Sequence, residues 1–108
     1  MSDPAGETVP RPGRPARDPD ASRTVEICNK RGLHARASAK FVMTVEKYDA
    51  EVWVTRAHEC VGGTSIMGLM MLAAGPGVAI KIEAWGAQAT KVIEELAALV
   101  AGRFEERD

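Results

Sequence analysis

Thr24-Val25-Glu26-Ile27-Cys28-Asn29-Lys30-Arg31-Gly32-Leu33-His34-Ala35-Arg36-Ala37-Ser38-Ala39-Lys40 changes its hydrophobic period in mid-course. Val25 and Ile27 alternate with polar residues, which predicts a short strand from Thr24 to Cys28 with both on one face. Asn29-Lys30-Arg31-Gly32 carries turn chemistry. From Ala35 to Lys47 neither proline nor glycine interrupts the chain, and Ser38, Phe41, Val42 and Val45 recur at i, i+3, i+4, i+7. That spacing puts them on one stripe of a helix, and a stripe of this kind is buried by packing on a sheet.

The rest of the chain supplies that sheet. A second strand is expected from about Ala50 to Thr55 with Val52 and Val54 inward, and a third from about His58 to Val61, joined by a turn at Arg56-Ala57. Ser65 stands in N-cap position before Ile66-Met67-Gly68-Leu69-Met70-Met71-Leu72, enough for two helical turns, and Ala74-Gly75-Pro76-Gly77 stops them. Val78, Ile80 and Ile82 then alternate with Ala79, Lys81 and Glu83. Finally Ala89, Val92, Ile93, Leu96, Leu99 and Val100 form one stripe, with Gly102 placed to end that helix. The order β-α-β-β-α-β-α, with one apolar face per strand and per helix, predicts a two-layer α+β sandwich whose sheet has an open face, and Trp53 and Trp85 belong on or near that face.

Upstream, residues 1–23 hold five of the six prolines with mixed charges and no hydrophobic period. They are expected to be a disordered extension, and 24–108 the one folded domain. The whole chain has 108 residues and a net charge of -1, so it lacks the global basic field that duplex nucleic acid attracts. No segment has the apolar length of a secretory signal or a membrane span, and a cytoplasmic protein without membrane insertion is expected. Cys28 and Cys60 suit neither a disulfide framework nor a zinc site; two free structural thiols, no metal and no cofactor are expected.

His34 falls where the chain leaves a loop and enters the first helix. The backbone amides of Ala35, Arg36 and Ala37 have no intrahelical acceptor and, with the positive end of the helix dipole, form an anion site. Neutral imidazole is a nucleophile toward phosphorus, and a phosphoryl group on His34 would rest against those amides. Arg36 adds a permanent charge and a planar donor fork for the oxygens in transfer. Ser65 is a cap in the first instance, but a phosphate there would also meet free amides. Beside it, Ile66, Met67 and Met70 share a face suited to docking several partners, while Leu69 and Leu72 point inward. His58, on a short strand, is expected to face solvent.

Gly32-Leu33-His34-Ala35-Arg36 and Ser65-Ile66-Met67-Gly68-Leu69-Met70, in this element order, resemble the histidine-containing phosphocarrier HPr family of the bacterial phosphoenolpyruvate-dependent phosphotransferase system. The resemblance covers about residues 24–102. It implies an open-faced β-sandwich in which three helices cover one side of a four-stranded antiparallel sheet. It also implies a monomeric carrier, not itself an enzyme, that takes a phosphoryl group on His34 from enzyme I with help from Arg36 and gives it to an enzyme IIA. Ser65 corresponds to the regulatory site of an HPr kinase/phosphorylase, and docking falls to Ala39, Lys40, Ile66, Met67 and Met70. Two branches fit, sugar transport and a nitrogen-related or regulatory relay, and the acceptor enzyme IIA distinguishes them. The family's usual proline after the arginine is Ala37 here, and Ala87 stands where a capping aspartate is usual before the last helix. The competing expectation is a regulatory binding module switched at Ser65 with His34 silent.

Overall fold

Strand alternation and helical stripes meet across one interface. In the computed structural model, which describes residues 13–106, the elements are β1 (Ala21–Glu26), α1 (Ala35–Glu46), β2 (Glu51–Arg56), β3 (Glu59–Gly62), α2 (Ile66–Met71), β4 (Ala79–Trp85) and α3 (Ala89–Ala101), followed by a short 3-10 turn, Arg103–Glu105. This is the expected β-α-β-β-α-β-α order. The sheet runs β1-β4-β2-β3 and every neighbouring pair is antiparallel. Val54 opposes Ile82 and Val52 opposes Ala84, so one face of the sheet is continuously apolar. Against it pack Phe41, Val42 and Val45 of α1, Leu69 of α2, and Val92, Ile93, Leu96 and Val100 of α3.

Several boundaries differ from the sequence expectation. β1 opens at Ala21 and closes at Glu26, and Ile27 lies beyond it, although its amide still donates to the Val78 carbonyl at 2.9 Å. The β2–β3 hairpin pairs Arg56 with Glu59, so its turn is Ala57-His58, one residue later than expected. His58 is exposed in that turn, not on a strand. Ala57 takes φ 54°, a left-handed conformation without the glycine that normally signals it. The N-cap of α3 is Gln88, not Ala87, and its side chain caps nothing in α3; instead its Oε1 accepts from the Asp49 amide at 2.7 Å. Cys28 and Cys60 are both free, but only Cys60 is buried.

The other sheet face is partly covered. Trp85 is only 3% exposed, because the Arg14 guanidinium lies over its ring at 5.3 Å and its indole N–H donates to the Arg17 carbonyl at 2.8 Å. Arg14 also donates to the buried Glu83 carboxylate at 2.7 Å, and the Gly86 amide donates to Asp20 at 2.7 Å. The segment from Gly13 to Asp20 therefore lies over the β4 end of this face. Residues 1–12 of the expected extension lie outside the described residues.

Candidate functional site

The loop before α1 is shaped by a glycine and a buried amide side chain. Gly32 takes φ 64°, and a Cβ there would stand 2.3 Å from the Ala74 carbonyl oxygen. The fully buried Asn29 donates from Nδ2 to the Gly32 carbonyl at 2.9 Å, and the Leu33 amide donates to Ala74 at 3.0 Å. With Leu33 pinned and buried, His34 is left at the mouth of the helix. It is the N-cap of α1, with extended backbone (φ -75°, ψ -178°) and no side-chain cap hydrogen bond. The first intrahelical bond is from the Ser38 amide to the His34 carbonyl, 2.8 Å. The amides of Ala35, Arg36 and Ala37 precede it and are the donors left over at any helix start.

Arg36 is exposed on the first turn, and among the described residues no hydrogen bond or ion pair engages its guanidinium. His34 thus borders the dipole end and the three amides that open α1, with the Arg36 cation exposed on the same first turn, an arrangement that favours an anion. His34 also lines a shallow cleft of about 260 Å³ with Arg31, Leu33, Met70, Ala73, Ala74 and Gly75. The cleft brings His34 and Met70 together, and adds Arg31, which the sequence reading had only as part of a turn.

Ser65 is the N-cap of α2, its Oγ accepting from the Gly68 amide at 2.9 Å. The face after it is apolar and uncovered: Ile66, Met67, Met70 and Met71 are exposed, while Leu69 and Leu72 are buried. Ala39 is half-buried, as is Lys40. Lys40 is not a free surface cation, however, because its ammonium donates to the Phe104 carbonyl at 2.7 Å.

That contact belongs to a feature the sequence reading missed. After Gly102 the chain makes a left-handed turn with Arg103, Phe104 and Glu105 at φ 60°, 54° and 65°. Phe104 is fully buried, and Glu106 comes back to the site, one carboxylate oxygen against His34 Nε2 and the other accepting from Asn29 Nδ2 at 3.1 Å. A lone aromatic among charged residues just past a helix stop is the sequence signal that was available. Among the described residues no helix is long and apolar enough to cross a membrane and no acidic, His or Cys cluster suits a metal ion.

Comparison with known proteins agrees with this fold. The family described as PTS-HPr, "PTS HPr component phosphorylation site", matches residues 21–102. The phosphocarrier protein HPr of Neisseria meningitidis is 49% identical over 84 residues, 78% of this chain and 94% of that one. The phosphocarrier protein NPr of Shewanella violacea is 37% identical, over 78% of this chain and 92% of its own. Among solved structures, HPr-C-His from Thermoanaerobacter tengcongensis superposes with a TM-score of 0.77 at 38% identity, covering 82% of this chain and 99% of that chain.

Proposed function

This chain belongs to the HPr family of phosphocarrier proteins of the phosphotransferase system, and from that premise we propose that His34 accepts a phosphoryl group from phosphorylated enzyme I and donates it to an enzyme IIA. The observation that carries the reading is the place of His34 at the N-cap of α1, beside the amides of Ala35, Arg36 and Ala37 that open the helix, with Arg36 exposed on the same first turn and its guanidinium unpaired among the described residues. One imidazole nitrogen attacks phosphorus as the bond to the donor breaks. The amides and Arg36 hold the oxygens throughout, and positioning with charge stabilisation is most of what phosphoryl transfer asks of a protein. The chain ends each cycle unphosphorylated, as a carrier between enzymes.

Partners dock, in this reading, over Ala39, Lys40, Ile66, Met67 and Met70, because the cleft beside His34 opens onto the apolar face of α2. Ser65 is exposed at the head of that face, so a phosphate placed there by an HPr kinase would set a double negative charge inside the docking surface while still meeting the α2 amides. The carrier works as a monomer in the cytoplasm.

Incubation of the full chain with enzyme I and phosphoenolpyruvate should add one acid-labile phosphate, absent in His34→Ala; labelling that persists in that variant overturns the assignment. Incubation with an HPr kinase and ATP should add an acid-stable phosphate that Ser65→Ala lacks. The enzyme IIA that drains the label separates sugar transport from a nitrogen-related or regulatory relay.

A further inference from the structure

The feature that His34 function has not absorbed is the carboxylate on its far nitrogen. Glu106 does not arrive there by chance contact of a loose tail. Its position follows from the buried Phe104 ring, from Lys40 donating to the Phe104 carbonyl at 2.7 Å, and from Asn29 donating to the second carboxylate oxygen at 3.1 Å. The turn that delivers it runs through three successive non-glycine residues with positive φ, Arg103, Phe104 and Glu105, a conformation L-residues rarely take and which the surroundings must hold in place. His34 and Glu106 are largely shielded, their side chains 20% and 11% exposed. A carboxylate accepts and does not donate, so the proton of a neutral His34 ring resides on Nε2.

We propose that Glu106 is a positioning residue for His34: it holds the proton on Nε2, leaves the Nδ1 lone pair to attack phosphorus, and stabilises the positive charge that the ring gains as the Nδ1–P bond forms. The inference rests on the carrier reading of His34. The step balances without any further reactant. The Nδ1–P bond forms as the donor's bond to phosphorus breaks, the donor leaves with that electron pair, and the Nε2 proton stays where it is against Glu106. The side chain of His34 caps no amide of α1, so Nδ1 is not committed to the helix. Removing the carboxylate behind a histidine costs about 10- to 100-fold for the partners of metal-bound histidines and about 10^4-fold in a Ser-His-Asp triad; the lower range is the one expected here, where His34 needs no proton taken from a second nucleophile.

The test uses the full chain and potassium phosphoramidate, a small donor that needs no partner protein, with ammonia as leaving group. Phosphate incorporation at His34 is followed by mass spectrometry, with His34→Ala as the blank, and the ring nitrogens by 15N NMR. Glu106→Gln, nearly isosteric, and Glu106→Ala should keep the wild-type melting temperature within a few degrees and slow phosphorylation about 10- to 100-fold. The wild-type spectrum should contain an unprotonated Nδ1 and a slowly exchanging, strongly deshielded Nε2–H that Glu106→Ala loses. Equal or faster phosphorylation of both variants, or an Nε2–H signal that is missing from wild type or unmoved in Glu106→Ala, overturns the proposal. Failure of enzyme I to label His34 strikes the carrier reading instead, while the ring-nitrogen spectra still decide the role of Glu106.

Discussion

At Gly32 a hydrogen atom stands where any other residue would place a carbon against the Ala74 carbonyl. Gly32→Ala therefore meets two costs, a left-handed φ and a contact of 2.3 Å with backbone that cannot swing aside. Together these should lower stability by about 2–4 kcal/mol, read as the shift in urea midpoint at constant slope. The same clash pushes on the carbonyl that accepts from Leu33, so phosphorylation of His34 should slow even under conditions where the variant is fully folded. Gly32 as a turn residue and His34 at the helix mouth were both legible from the chain, because each follows from local conformational preference. The burial of Asn29 was not. An asparagine in a turn ordinarily faces water, and here its two partners, Gly32 and Glu106, lie at opposite ends of the folded sequence.

The helices and strands carry their own signals, and those were mostly readable. Ser38, Phe41, Val42 and Val45 are buried as one stripe, and Ile80 and Ile82 as one face of a strand. Period alone fixes such placements, since packing repeats at the period of the element. The hairpin slipped by one residue because Ala57 adopts a left-handed turn that its side chain does not advertise. The tail and the arm over Trp85 were missed for a related reason: each is held by isolated side-chain anchors, among them Phe104 and Arg14, and isolated anchors have no period. α2 offers the sharpest check on a readable signal. It is a short helix, Ile66–Met71, begun by the Ser65 hydroxyl on the Gly68 amide. Ser65→Ala leaves that amide without its acceptor and should cost about 1 kcal/mol. Hydrogen exchange at the Gly68 amide should speed up more than exchange in α1, and an unchanged Gly68 rate would show that the cap contributes nothing.

Across the whole molecule, three helices close one face of the sheet, whereas residues 13–20 cover only part of the other. This second covering is electrostatic in character, and so it should respond to acid. The Asp20 carboxyl, at an ordinary value of 3.8, is held down to about 2 by hydrogen bonds from Arg17 and from the Gly86 amide. A carboxylate whose pKa is lower folded than unfolded contributes stability that is complete above about 4 and disappears as pH falls through about 2. Arg17 is also the residue whose carbonyl accepts from the Trp85 indole, so protonation of Asp20 loosens the arm where it covers that ring. Arg14 on Glu83 holds the same arm, and Asp20→Asn isolates the share due to Asp20. In a Trp53→Phe background, which leaves Trp85 as the reporter, emission should move to longer wavelength between about pH 4 and pH 2 while far-ultraviolet circular dichroism holds. With Asp20→Asn added, Trp85 should already be partly red-shifted at pH 7 and should move less on acidification. An identical acid response in the two proteins would mean that the arm is held by Arg14 on Glu83 and Trp85 alone, with Asp20 a bystander.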